Sequence, residues 1–480
     1  MRRALLVLAA LVGLCSGACL HAAEPAWPEA LLQEARQIVA EAADDGLDPA
    51  DYRDLPPPEA MRRYLSHLHL GRVRAKELGF RVGASTDDEI DGVLQAAVAE
   101  GRLQPAVERL TPPLAQYRQL REALARYRGL GRLAPPWSAL PPLRKKLVAG
   151  DAYAGIAGLR ERLVAFGDLP ADAVNAAERY DDVLAAAVQR FQQRHGLDTD
   201  GTIGRATLAA LNVPPSARVR QIELAMERLR WLPHRSGRPF IAINIPMFRL
   251  WAWDAGAPEG TPALGMGVIV GRALRTQTPV FADEMTHLIF RPYWNVPRSI
   301  LRNEVLPAAE RDPTYLARHD MELVGGQGDD ARPVAATTEN LEAARAGALR
   351  IRQRPGPKNS LGLVKFIFPN DDNVYLHGTP ARALFSRSRR DFSHGCVRLE
   401  NPPALAQWLL KDQPAWTLER IEAAMNGTSS QQVNLSAPVP VILYYVTAAV
   451  MPEDGTLHFA DDIYGHDAAL ERSLKRRRSN

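Results

Sequence analysis

The spacing of apolar residues changes its period at about residue 237, and that change confines the chain to a helical first half followed by a sheet. Beyond it, Phe240-Ile241-Ala242-Ile243-Asn244-Ile245, Arg249-Leu250-Trp251-Ala252-Trp253, Val268-Ile269-Val270, His287-Leu288-Ile289-Phe290 and Val374-Tyr375-Leu376 read as strands, β-branched and aromatic, parted by Gly, Pro and Asp turns. Val439-Pro440-Val441-Ile442-Leu443-Tyr444-Tyr445-Val446 adds a late strand. At 480 residues the chain should hold two to four cores. A multi-domain α + β protein is expected: a helical scaffold over 24–140, a compact helical module over 141–213, a β-rich domain over 237–436, and a strand with a basic tail over 437–480. Residues 301–360 interrupt the strands; they are charged, helical in pattern at Leu341, Ala344 and Leu349, and contain Gly325-Gly326-Gln327-Gly328-Asp329-Asp330. So long an excursion is usually a lid or a binding loop.

In the first half, Leu31-Leu32, Ala35 and Ile38-Val39 recur at helical spacing, and Asp54-Leu55-Pro56-Pro57-Pro58 stops one element before Met61, Leu65 and Leu68 begin another. No chemistry is visible there. In the module, Ile156, Leu159, Leu163 and Val164 form one apolar face and Leu184, Ala187, Val188 and Phe191 a second. Asp181 is placed to cap the second helix and Gly196 to close it after His195, before a turn over 198–204 and a last helix with Leu208 and Leu211.

Met1-Arg2-Arg3 ahead of the apolar run Ala4 to Leu14 and the small residues Ser16, Gly17 and Ala18 reads as an export signal, cleaved after Ala18 or Ala22. An uncleaved anchor and a lipoprotein acylated at Cys19 are the alternatives. Loss of residues 1–23 lowers Lys+Arg from 59 to 57 against 55 acids, leaving a net charge of +2. Such balance gives no reason to expect nucleic acid as a partner, and the run Lys475-Arg476-Arg477-Arg478 reads as a solvated tail. With Cys15 and Cys19 removed, one thiol remains, so disulfides do not stabilise the chain and that thiol needs another explanation.

Cys396 lies in Phe392-Ser393-His394-Gly395-Cys396-Val397-Arg398-Leu399, nineteen positions after His377 in His377-Gly378-Thr379-Pro380. A free thiol is only a few per cent thiolate near neutral pH, so a nucleophilic cysteine needs a base. His377, at the end of the strand Val374-Tyr375-Leu376, is the candidate base. Gly378 can offer a carbonyl to its other ring nitrogen, and main-chain N–H groups at His394, Gly395 and Cys396 can face an oxyanion. Arg398 suits a substrate carboxylate. A buried structural cysteine, or zinc held by His377, His394 and Cys396, stay open as other readings of the same residues.

Taken together, Val188-Gln189-Arg190-Phe191-Gln192, His195-Gly196-Leu197, Asp200-Gly201, Ile203-Gly204 and Thr207-Leu208-Ala209-Ala210-Leu211-Asn212 resemble the three-helix peptidoglycan-binding domain. His377-Gly378-Thr379-Pro380 followed by Ser393-His394-Gly395-Cys396-Val397-Arg398 resembles the signature of the L,D-transpeptidase (YkuD-like) catalytic domain, and Arg291 to Ile300 resembles the segment that large Gram-negative members carry ahead of an inserted capping region. The resemblance implies Cys396 as nucleophile and His377 as base, with Gly378, His394 and Gly395 in support, and Arg398, Trp294, Asn295 and Ser393 against the substrate. It also implies 3-3 cross-linking of peptidoglycan stem peptides through a thioester, release of D-alanine, no cofactor or metal, and a covalent carbapenem adduct; with the export signal, a periplasmic protein is expected, and it is taken as a monomer. The rival functions are a cysteine hydrolase of peptidoglycan and a non-catalytic wall-binding scaffold.

Overall fold

The computed structural model describes residues 27–479 apart from 84–86, 134–136, 176–178, 234–236, 259, 274–275, 327 and 329–330. The export signal read at 1–23, and Gln327, Asp329 and Asp330 of the glycine-rich run, lie outside the described residues. The scaffold contains helices Glu29–Ala40, Pro57–Leu70, Asp87–Glu100, Gln104–Leu110 and Ala115–Leu133. Pro57 opens its helix, where a missing N–H forfeits no hydrogen bond, so the proline run begins an element four residues ahead of Met61. In the module Ile156–Phe166, Asp182–Arg194 and Arg205–Leu211 are helical. Asp181 caps the second of these, its carboxylate accepting from Leu184 N–H at 2.9 Å.

A further helix, Pro215–Leu229, packs along Ala115–Leu133 in a stretch where no element was expected. It carries buried charge. Glu227 accepts from Val73 N–H at 3.0 Å and from Arg230 at 2.9 Å; Arg230 donates to the Tyr117 hydroxyl at 2.8 Å, and Tyr117 and Tyr64 both donate to Asp45. Burial opposes the charge on Glu227, but Arg72 and Arg230 outweigh it and hold the carboxyl below its usual range.

The second half contains β1 (Phe240–Asn244), β2 (Arg249–Trp253), β3 (Leu264–Gly271), β4 (Phe281–Phe290), β5 (Trp294–Asn295), β6 (Met321–Gly325), β7 (Arg332–Val334) and β8 (Arg350–Gln353). It continues with β9 (Val364–Ile367), β10 (Leu376–His377), β11 (Asp391–Ser393), β12 (Val397–Leu399), β13 (Gln431–Tyr444), β14 (Ala448–Val450) and β15 (Leu457–Phe459). The main sheet runs β11-β3-β12-β10-β9-β4-β13-β1-β2, and β2 pairs again with β3, which closes the sheet on itself. β1 is buried on both faces: Ile241 and Ile243 enter the core of the sheet domain, while Trp251 beside it on β2 joins the core of the helical half. That explains its unbroken apolar run.

Two expectations are corrected here. The segment 437–480 is not an appendage, because β13 runs through residue 436 and lies between β1 and β4, while Val446 to Phe459 joins the helical core. Its end is a helix, His466–Ser479, that buries Leu470 and Leu474, while Lys475, Arg476 and Arg477 stay exposed as expected and Arg477 reaches Glu77 at 2.6 Å. The insertion at 301–360, read as helical, is mixed. Its helices cover a four-stranded sheet, β5-β8-β6-β7, over a core of its own that includes Leu301, Leu306, Leu323 and Ile351.

Candidate active site

β10 ends on His377 and β12 starts after Cys396; the two strands are parallel, with Leu376 opposite Val397 and His377 opposite Arg398. Side chains alternate along a strand, so register partners share a face. Cys396, two places before Arg398, and Tyr375, two places before His377, therefore lie on that same face, with His377 one diagonal step from the sulfur.

His377 is only 4% exposed, and its Nδ1 is 2.5 Å from Gly378 O. A carbonyl can only accept, so Nδ1 carries the proton and Nε2 the lone pair. Gly362 makes the contact possible: at φ 66° a Cβ there would sit 2.7 Å from the Gly378 carbonyl carbon. Burial, and after it the Arg398 charge, hold the imidazole down to about 3.

Cys396 is half-buried, and burial pushes its thiol above the ordinary range against the opposing influence of Tyr375, Lys365 and Arg398. Its Sγ faces Asn373 O at 3.8 Å and lies against Tyr375. Among the described residues it makes no hydrogen bond to His377, so the direct thiol–imidazole pair expected from the sequence gives way to two neutral groups on one face. The cause is local. Asn370 closes the turn before β10 by accepting from Val374 N–H at 3.0 Å, and Asn373 within that turn takes φ 54°, which brings its carbonyl to the sulfur.

The loop that carries Cys396 is tied from within. Ser393 is 2% exposed and donates to Cys396 O at 2.5 Å while accepting from Gly395 N–H at 3.1 Å. This corrects two assignments: Ser393 is too enclosed to meet a substrate, and the Gly395 N–H is not available to an oxyanion. The His394 side chain points away from the sulfur to the insertion, its Nε2 2.7 Å from Glu304 Oε1. His377, His394 and Cys396 thus turn to different partners, and among the described residues no three His, Cys, Asp or Glu gather as a metal site.

Trp294 packs on the insertion core and lies beside Tyr375. Asn295 accepts from Arg350 at 2.8 Å within the insertion sheet, which removes it from the sulfur's face. Arg398 meets no carboxylate among the described residues, and its buried Nε has no partner. Lys365 lies 3.8 Å over the Tyr375 ring. Cationic side chains therefore gather beside a neutral thiol, a setting for an anionic ligand.

Residues 238–434 match the family model of the YkuD L,D-transpeptidase catalytic domain. The sheet domain is similar throughout to L,D-transpeptidase catalytic domains. Residues 154–211 match the peptidoglycan-binding domain model, and 20–124 a scaffold domain model. A Haemophilus influenzae protein whose name assigns it to the L,D-transpeptidases is 33% identical over 251 residues, covering 52% of this chain and 49% of its own length. The chain thus spans about half the length of the curated relative it matches. Among solved structures, an L,D-transpeptidase from Xylanimonas cellulosilytica shares 16% identity at a TM-score of 0.20, covering 63% of this chain and 100% of its own. A fused Zn-dependent amidase/peptidase/peptidoglycan-binding protein from Clostridium acetobutylicum shares 11% at 0.17, covering 62% and 99%. Neither score bears on the fold.

Within the sheet domain, sequence reasoning missed Tyr375, Asn373, Gly362 and Glu304 as neighbours of Cys396, His377 and the loop before the sulfur. A signal existed for one of them: Asn370-Asp371-Asp372-Asn373 is a turn sequence, and its last residue tolerates a positive φ.

Proposed function

We propose that the protein is an exported peptidoglycan L,D-transpeptidase that forms 3-3 cross-links through a thioester on Cys396. The observation that carries this reading is the shared face of Cys396 and His377, with the imidazole's Nδ1 tied to Gly378 so that Nε2 is left as the basic nitrogen. A turn of the Cys396 χ1, a fast motion for a half-buried side chain, brings Sγ from Asn373 toward that nitrogen.

The acyl donor is a tetrapeptide stem whose terminal D-alanine carboxylate meets Arg398. Sγ–H gives its proton to His377 as sulfur attacks the carbonyl before D-alanine. The C–N bond then breaks, the D-alanine amine leaves with that proton, and the acyl group stays on sulfur as a thioester. A side-chain amine of a second stem attacks the thioester, its proton passing through His377 to the departing thiol. No ATP is consumed, because one amide replaces another. The insertion at 301–360 lies over the loop and limits water at the acyl-enzyme. The module at 141–213 faces the wall polymer, and the basic start of the chain directs export to the periplasm.

Intact-mass measurement after exposure to a carbapenem tests this. One adduct is expected on the wild type and none on Cys396→Ala, with D-alanine release from muropeptide lost in the same variant. An adduct or cross-link that survives the substitution would end the proposal.

A further inference from the structure

Three of the four main-chain polar groups of Gly395 and Cys396 have partners. Gly395 N–H donates to Ser393 Oγ at 3.1 Å, Cys396 C=O accepts from the same hydroxyl at 2.5 Å, and Gly395 C=O accepts from Thr278 Oγ1 at 2.7 Å. The Cys396 N–H has no partner among the described residues. In a trans peptide the C=O and N–H point in opposite directions within one plane. Whatever fixes the Gly395 carbonyl therefore fixes the bearing of the Cys396 N–H. Gly395 itself has φ 118°, so only glycine gives this plane without strain.

Thr278 is 1% exposed and is held from three directions. Its Oγ1 accepts from Gly271 N–H at 2.9 Å, and its own N–H donates to the Tyr464 hydroxyl at 3.2 Å. That hydroxyl in turn donates to Gly271 C=O at 2.6 Å. Each donor and acceptor is used in one consistent sense. Tyr464 comes from the chain beyond β15, and its ring sits among Tyr445 and His466.

We propose that Thr278, seated by Tyr464, is the positioning residue that aims the Cys396 N–H at the oxygen of the tetrahedral intermediate. This rests on the acyl-transfer reading above. An oxyanion donor acts only where charge develops on oxygen, so the strut serves acylation and not the nucleophilicity of sulfur as such.

Two reactions at Cys396 separate these roles. Alkylation by iodoacetamide is a displacement with no oxyanion; acylation by a carbapenem passes through one. Thr278→Val should slow acylation about 10- to 100-fold while alkylation stays within about twofold. Thr278→Ser, which keeps the hydroxyl, should return acylation to within about threefold of wild type. Tyr464→Phe, which keeps the ring and removes only the strut, should show the same split to a smaller degree and carries the test if Thr278→Val does not fold. Equal loss in both reactions, or loss in neither, overturns the assignment. A wild type that alkylates at Cys396 yet forms no carbapenem adduct overturns instead the acyl-transfer reading beneath it.

Discussion

Glu304 Oε1 lies 2.7 Å from His394 Nε2, so the insertion grips the residue two places before Cys396. Both side chains are partly exposed, which limits such a pair to under about 1 kcal/mol. Leu301–Val305, which carries Glu304, is a π-helical turn, a form that gathers at functional sites.

Glu304→Ala should therefore leave the thermal midpoint nearly unchanged and alter the fate of the acyl-enzyme. Product analysis with an amine acceptor present should show a higher ratio of hydrolysis to transfer than wild type, because the cover over the loop loses one anchor. An unchanged ratio would remove the insertion from the partitioning of the thioester.

The two neutral groups predict an unusual pH profile. His377 is held down to about 3 and the thiol is pushed up, so between these limits neither partner gains or loses a proton. Carbapenem acylation should be flat from about pH 5 to about pH 8 and rise at higher pH as thiolate forms. It should fall only as pH drops toward 3 and the imidazole takes the proton that blocks it as a base. A one-proton decline centred near 6.5 would show an ordinary histidine.

Gly362→Ala places a Cβ against the Gly378 carbonyl carbon and forces a positive φ, so it should cost about 1–3 kcal/mol in denaturant unfolding and lower acylation about tenfold by shifting the carbonyl that fixes His377. Gly79→Ala is the control. It has a comparable φ of 76° with nothing within 4 Å of a Cβ, so stability should fall modestly and acylation should not.

Glu227→Ala should cost about 3–5 kcal/mol in urea unfolding, because Arg230 is left buried without its carboxylate. Arg36→Ala, which breaks an exposed pair with Glu29, should stay within about 0.5 kcal/mol. Similar losses in the two variants would show that the buried network relaxes.

The parts legible in the sequence are those set by local rules. Four of the early period-two runs are strands in the structure, whereas of Val374-Tyr375-Leu376 only Leu376 lies in one, and Asp181 is the cap that its position before Leu184 implies. Residues Cys396 and His377 stand out because one thiol and a motif-borne imidazole need no tertiary knowledge to be noticed. What stayed hidden depends on distant partners. The second pairing of β3 with β2 leaves no trace in either strand's own residues, and the insertion's short strands β6, β7 and β8 lie in a charged stretch whose helix obscured them. The family resemblance set Ser393 against the substrate; its enclosure by the loop follows only from how Gly395 turns.

β13 has its neighbours β1 and β4 far back in the sequence, and the hydroxyl that seats Thr278 arrives later still. A polypeptide still emerging from the ribosome, or one clipped behind residue 430, would hold the reactive sulfur in a sheet that cannot shut. The surroundings of Cys396 are thus completed only when the C-terminal segment has folded back onto the sheet, a closure between residues distant in the sequence.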